Sequence, residues 1–458
     1  MKARTRNQNV QFQIHAAVRL DKPQPGSATQ VHTEDTMAPS QSYEVLIVGG
    51  GLGGVTAALA LRRKGLRVTV LEAASELGEV GAGIQTAPNA SQILIDLGLR
   101  RQLEEIHTQP EDQVRRRWQD GKIIGLTPLG KHVQNAYNGP YWHYHRADLH
   151  RVIYEACVDP AGAGPVVRVH TNTRISTMDT TNPERPVAVA VDGQRFEADV
   201  VVGADGYRSQ VRNAMGFDDT LEFSGEMAFR TLVPGKRIVD DPATRFLVDR
   251  LQSTIWYGPD RHFVHYIIRQ GEQLNLVGLV PCTDDVRDNG PRTVSAEYMA
   301  SCFPGWDDRA ISMIMKADDD ILLQALYYRR RDPVWVDGHV ALLGDACHAM
   351  LPYQAQGASQ AMEDGAVLAD ELGAVTRSGI DEALVRYAAR RSTPAGMVQD
   401  ASLRNKTFYH LPDGPEQEAR DQKLAEFSGE SDLPYEWIWA GTHLRESDSV
   451  RFGYQFAG

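Results

Sequence analysis

The residues best suited to chemistry begin with a glycine run. Gly49, Gly51 and Gly54 sit in Gly49-Gly50-Gly51-Leu52-Gly53-Gly54, and an acid, Glu72, lies 18 residues beyond Gly54. That spacing suits a dinucleotide. The first glycine permits a tight turn, the second lets a pyrophosphate approach the backbone, and the third lets a helix pack closely on a strand. Free N–H groups at a helix start favour the phosphate charge, and a carboxylate at the tip of the next strand accepts hydrogen bonds from a ribose. Two aspartates, Asp205 and Asp345, each follow an apolar run: Val200-Val201-Val202-Gly203-Ala204 and Val340-Ala341-Leu342-Leu343-Gly344. A carboxylate there suits a hydroxyl-rich chain, and a helix start just beyond can stabilise negative charge on a reduced ring. Taken singly, either aspartate serves equally well as the cap of a βα turn.

The elements that must hold these residues can be read locally. Val45–Val48 is short, continuous and β-branched, the pattern of a strand buried on both faces. Val55–Gly65 reads as a helix with cations in its last turn and a glycine stop. Arg67–Glu72 is a second strand, which completes a β-α-β unit. A helix is expected over Ser359–Leu372 and strands over Phe229–Pro234 and Ile255–Ile268. In one continuous strand over Ile255–Ile268, alternation places Tyr257 and Phe263 on one face and Trp256, His262 and Tyr266 on the other. The fold class is therefore α/β. No second GxGxxG opens another strand-and-helix unit, so a dedicated nicotinamide domain is not expected.

Bulk properties exclude several functions. A formal charge of −12 lacks the basic surplus that nucleic-acid binding demands. The four cysteines form no CxxC pair, so neither a zinc site nor a disulfide framework is indicated, and a reducing, cytoplasmic setting is expected. No metal-ligand spacing appears: His143 and His145 share a strand face without an acid pair. No run approaches the roughly 18 apolar residues of a membrane span. The first 36 residues are polar, and residues 1–42 read as a disordered leader, or as an extension of a protein that starts at Met37. Asp21, Glu34 and Asp35 weigh against a mitochondrial leader.

Taken together, the motifs resemble the single-component, FAD-dependent aromatic hydroxylases, and within them the fungal salicylate hydroxylase-like branch. The matching stretches are GGGLGG with Glu72, LGEVGAGIQTAPNA at 77–90, HRADL at 145–149, GADGYRSQVR at 203–212 and GDACHAMLPYQAQGASQAMEDG at 344–365. A weaker echo lies in Tyr435-Glu436-Trp437-Ile438-Trp439. The resemblance implies a discontinuous Rossmann-type FAD domain (43–216 and 336–403), a mixed-sheet substrate domain (217–335) and a C-terminal helical extension (404–458). It also implies that Glu72 holds the adenosine ribose, that Arg146 lies along the cofactor, and that Asp345 binds its ribityl or pyrophosphate region. Gly357 and Ala358 would present N–H groups to the flavin, Gly83 and Gln85 would lie near its other edge, and Asp205 would shape the site and the NAD(P)H path. The family often has Asn after Gly-Ala, and here Ser359 stands instead.

The implied activity is monooxygenation: NAD(P)H visits briefly and reduces FAD, O2 adds to the flavin, and the hydroperoxide gives one oxygen atom to a small aromatic substrate. Arg230 would orient an anionic or phenolic substrate, since a guanidinium can pair with it in a forked geometry. Tyr257 is the candidate catalytic tyrosine, with Tyr266 as its rival. His348 reads as structural, and the run Arg329-Arg330-Arg331 as a solvated or salt-bridged surface. Two alternatives share the scaffold. One is an oxidative tailoring enzyme acting on an alkene, an indole or a polyketide ring, and the other is a flavin oxidase or dehydrogenase that does not oxygenate.

Overall fold

The computed structural model describes residues 43–77, 82–217, 221–246, 248–282, 284–332, 334–426 and 435–441. The expected leader and parts of the 77–90 motif and of the C-terminal extension lie outside them.

The strand Glu44–Val48 lies at the heart of a six-stranded sheet, with Val45 to Val48 buried. It pairs in parallel with Arg67–Leu71 on one side and Val200–Gly203 on the other. The latter pairs in parallel with Val340–Leu342, and Arg168–His170 extends the opposite edge. Strands covered on both faces need continuous apolar runs, as these have. Gly49 turns the chain into helix Leu52–Arg63 at φ +108°, and a Cβ there would sit 2.4 Å from the Ala204 carbonyl oxygen. Only glycine tolerates both conditions. Helix Gly357–Gly373 packs against Leu52–Arg63, and the two share one core with the sheet.

The second sheet has eight strands in the order Arg292–Val294, Ile321–Arg329, Leu221–Pro234, Gln273–Pro281, Arg261–Ile268, Gln252–Gly258, Asp112–Arg117 and Ile123–Pro128. It is mixed. Asp112–Arg117 runs parallel to Gln252–Gly258, and its other pairings are antiparallel. The hairpin 112–128 thus belongs with strands of 217–335, across the sequence-based boundary. One face of this sheet packs Phe229, Trp256 and Phe263 against helices Ala296–Ser301 and Asp308–Ile314. Its other face turns toward the dinucleotide-type sheet. The 30-residue helix Ile380–Tyr409 continues past the expected boundary at 403, and helix Pro415–Glu426 follows it.

Ile255–Ile268 is not one strand. It is a hairpin, Gln252–Gly258 and Arg261–Ile268, turned at Pro259-Asp260 with Asp260 at φ +58°. The register sets Tyr257 opposite His262, Trp256 opposite Phe263 and Ser253 opposite Tyr266. Directly opposed residues share a face. Tyr257, His262 and Tyr266 therefore lie together and Trp256 with Phe263 lies beneath, which corrects the face assignment drawn from continuous alternation.

Candidate active site

A cavity of about 380 Å³ lies between the two sheets. Two helix starts abut it: Gly51, Leu52 and Gly53 from one, Gly357 and Ala358 from the other. Neither helix has a side-chain cap or an acid in its first turn. Both leave N–H groups and the positive end of the helix dipole facing the same space. Arg146 and Asp345 line the same wall. Asp345 is exposed to this space, while surrounding protein raises its carboxyl pKa through desolvation. A Cβ at Gly357 would touch only Met350 and Asp345, in ordinary contact. Uncapped helix starts, a cation and an open glycine approach fit the anionic, hydroxyl-rich dinucleotide expected from the sequence.

The floor comes from the eight-stranded sheet, and the register orders it into rows. Arg230, Val277, Val264 and Ile255 form the central row across four strands. Leu279 and His262 flank it on one side, and Tyr266, Ser253 and Gln113 on the other. All of these residues line the cavity. The middle of the floor is thus aliphatic, with a guanidinium at one edge. No described residue gives Arg230 a hydrogen bond or salt bridge, and burial, with Arg146 nearby, lowers its pKa. A desolvated cation without a partner is costly, and a ligand anion relieves that cost.

Gly83 and Gln85 lie on Gly83–Thr86, which pairs with Trp142–His145. The Gly83 N–H donates to Asn275 Oδ1 at 2.7 Å, and a Cβ at Gly83 would sit 2.7 Å from the Tyr266 ring. That approach packs this two-stranded sheet against the eight-stranded one at the cavity. Tyr141 donates its hydroxyl to Gln85 Oε1. Gly51, Gly83, Gln85, Arg146, Arg230, Asp345, Gly357 and Ala358 therefore converge on one space.

The other candidates stand outside that lining. Gly49 and Gly54 shape the turn behind it. Glu72 takes the amide hydrogens of Gly50 at 2.7 Å and Ala74 at 2.8 Å, which fixes the glycine loop. Asp205 accepts from Gln210 N at 2.7 Å and Val211 N at 3.2 Å, as the start of helix Gln210–Ala214 requires; its Oδ1 is buried without a partner. Tyr257 does not reach the cavity. It stacks on Tyr409 with ring centroids 4.3 Å apart, and burial pushes its pKa up to about 12. Burial thus holds its phenol neutral, and Tyr257, expected as the catalytic tyrosine, packs outside the cavity lining instead. Tyr266 does line the cavity; burial raises its pKa, against the pull of Arg230 and Gln85.

His348 lies in a sealed network. Its Nε2 is 2.6 Å from Asp364 Oδ2, while Arg391 donates to Asp364 at 2.7 Å and to Glu363 at 2.7 Å. Asn89 bridges Glu363 to Gln356, the residue before the second helix start. The arginine run divides: Arg329 is buried and donates to the Tyr207 carbonyl, whereas Arg330 and Arg331 pair with Glu222 and Asp400. Sequence reasoning missed the far wall. Tyr435 and Trp439 line the cavity, their rings stacked 4.8 Å apart, with Trp439 against Tyr141. The aromatic spacing of Tyr435 and Trp439, four residues apart on one helical face, was the available signal.

Comparison with known proteins follows the same lines. The FAD binding domain family matches residues 42–402. An FAD-dependent monooxygenase, OpS4, of Beauveria bassiana (strain ARSEF 2860) is 34% identical over 394 residues, covering 84% of this chain and 89% of its own. The 3-hydroxybenzoate 6-hydroxylase 1 of Aquipseudomonas alcaligenes is 36% identical over 377 residues, covering 81% and 90%. Among solved structures, a salicylate hydroxylase substrate complex superposes with a TM-score of 0.71 at 24% identity, covering 88% of this chain and 96% of that one.

Proposed function

This chain belongs to the FAD binding domain family of single-component FAD-dependent monooxygenases, and from that premise we propose that it uses NAD(P)H and O2 to hydroxylate a small aromatic acid or phenol. The relatives include a hydroxylase named for 3-hydroxybenzoate, a ring with one carboxylate and one hydroxyl.

FAD, when bound, supplies the redox centre through which electrons from NAD(P)H reach O2. The residues that would hold it are the Gly51–Gly53 helix start, Arg146, Asp345 and the N–H groups of Gly357 and Ala358. Glu72 would serve the ribose end from its place beside Gly50, and Gly49, Gly54 and Asp205 would shape the backbone around it. The chain's own residues do the rest. Val277, Val264 and Ile255 offer an aliphatic bed for a flat ring, and Arg230 at its edge fixes an anionic substituent and hence the direction of the ring. Tyr435 and Trp439 cover the far wall and exclude water, which strengthens each polar contact inside. Four free cysteines, two of them buried, suit the reducing cytoplasm proposed as the setting.

The observation that carries this reading is the Arg230 guanidinium, without a hydrogen-bond or salt-bridge partner among the described residues, beside an aliphatic floor. The experiment is direct. Purified protein should show a flavin spectrum, and hydroxybenzoates should accelerate its NADH or NADPH oxidation. Protein without flavin, or NAD(P)H oxidation indifferent to every aromatic acid and phenol, would overturn the proposal.

A further inference from the structure

The far end of the floor carries a cation that none of the roles above uses. Arg115 stands beside Ile255 in the register, so it extends the central row by one strand. A guanidinium therefore closes each end of that row, Arg230 at one and Arg115 at the other, with Val277, Val264 and Ile255 between. Arg115 is buried, and no described carboxylate pairs with it. Its Nη1 donates to Thr127 Oγ1 at 2.8 Å. Its Nη2 donates to Gln113 Oε1 at 2.8 Å and to the Tyr435 hydroxyl oxygen at 3.2 Å. Burial works against the charge, yet Tyr435, Tyr257 and Tyr409 hold the pKa above the ordinary arginine value. The guanidinium stays charged.

Arg115 sits behind the cavity wall, and it fixes the polarity of what the cavity meets. A guanidinium only donates, so Gln113 must turn its carbonyl oxygen to Arg115 and its amide N–H groups away. The Tyr435 oxygen also accepts from Arg115, which leaves its O–H to donate elsewhere. Both residues line the cavity, and no described residue accepts from either group. Ser253 stands beside Gln113 in the register and lines the same space. It is fully buried, and its Oγ has no partner among the described residues. Three donors thus converge where the protein supplies no acceptor. Buried donors left unmade are costly, and a ligand oxygen relieves that cost.

We infer that Gln113, Ser253 and Tyr435 form a second substrate subsite, and that the substrate is an elongated aromatic acid: a carboxylate lies on Arg230, and a carboxylate or carbonyl oxygen at the opposite end of the ring system lies on the donor patch. This rests on the aromatic hydroxylase reading above and narrows it. The span sets the length. Three strand spacings separate Arg230 from Ser253 and a fourth reaches Gln113, which at about 4.8 Å each is roughly 14–19 Å between backbones. One benzene ring with its substituents is too short to engage both ends. Two fused rings, or one ring with a conjugated arm, can do so while the aliphatic row carries the ring faces. Arg115 is a positioning residue: it acts through Gln113 and Tyr435, and the donors it orients are polarised by its charge.

The test is a titration of the flavin-loaded full chain, read by the flavin absorbance, with naphthalene-2,6-dicarboxylate and with 2-naphthoate. The two ligands share a ring system and one carboxylate and differ in the acceptor at the far end. Wild-type protein should bind the dicarboxylate about 10-fold or more tightly, as hydrogen bonds to a charged acceptor contribute. Tyr435→Phe removes one donor and should reduce that preference by about threefold or more. Gln113→Glu keeps Arg115 partnered but puts a negative charge in the patch, and should reverse the preference. Wild-type protein that binds the two ligands equally or prefers 2-naphthoate, or a preference unmoved by both substitutions, would overturn the second subsite alone. So would binding of 3-hydroxybenzoate with neither naphthalene bound. Wild-type protein that binds neither naphthalene nor any hydroxybenzoate would overturn the functional reading, and the subsite with it.

Discussion

Replacing Arg230 by Met should weaken binding of an aromatic carboxylate without loosening the fold. The side chains are similar in length, so the change removes a charge and a forked donor while keeping the aliphatic stem. Hydrogen bonds to a charged partner contribute about 1.5–3 kcal/mol net. At about 1.4 kcal/mol per tenfold, that is a loss of roughly 10- to 150-fold in affinity. The fold should not suffer, because no described carboxylate pairs with Arg230. Breaking a buried ion pair costs about 3–5 kcal/mol, but here there is none to break, and the change in unfolding free energy should stay within about 1 kcal/mol. The assay is a titration of the flavin-loaded protein with 3-hydroxybenzoate, read by the flavin absorbance, beside the neutral 3-hydroxybenzamide. The carboxylate should lose affinity and the amide little. Equal losses for both ligands, or none for either, would refute the assignment of Arg230 to an anionic substituent. So would a large drop in stability, because it would show that the guanidinium holds the protein together.

Four further outcomes are expected. Asp345→Ala should yield protein with weak or absent flavin by its visible spectrum, and full occupancy would remove Asp345 from the cofactor site. Arg391→Met leaves Glu363 and Asp364 buried without their cation and should cost about 3–5 kcal/mol in denaturant unfolding; a change below 1 kcal/mol would show that His348 and Asn89 suffice. Burial opposes ionisation of Asp364, yet His348 and Arg391 hold its pKa down at about 2. The folded value is below the unfolded one, so its stability contribution is present above about pH 4 and lost as pH falls toward 2; Asp364→Asn should flatten the acid limb of the unfolding curve in that window. Gly365→Ala would put a Cβ 2.9 Å from Ala57 N between the two packed helices, and overpacking of about 1–3 kcal/mol should appear as a lower Tm; an unchanged Tm would show that the helices yield.

The dinucleotide half of the molecule was legible because its determinants are local. Val45–Val48, the Gly49 turn and Arg67–Glu72 declare themselves within thirty residues, and the glycines have specific backbone reasons. The substrate half was not, because its determinants are pairings. Reading Ile255–Ile268 as one strand missed the turn that Gly258-Pro259-Asp260 offered, and with it every face assignment downstream. The true register sets Tyr257 opposite His262, and its ring stacks on Tyr409. The parallel pairing of Asp112–Arg117 with Gln252–Gly258 joins segments more than 130 residues apart, and no local pattern records it. Tyr435 and Trp439 reach the site only through the chain that follows the long helix, so their side chains gave no signal beyond aromatic spacing. Arg230 could be singled out by its place in a strand, but only the fold reveals that it has no ion-pair partner among the described residues.

The central claim is that this chain places one oxygen atom from O2 onto an aromatic ring. Turnover of a stimulating hydroxybenzoate under isotopically labelled O2, with NAD(P)H consumption followed in parallel, tests it most directly. One labelled oxygen per product molecule, with one NAD(P)H consumed for each, is the predicted result. Unaltered substrate with hydrogen peroxide as the only oxygen product would contradict it and identify the chain as an oxidase.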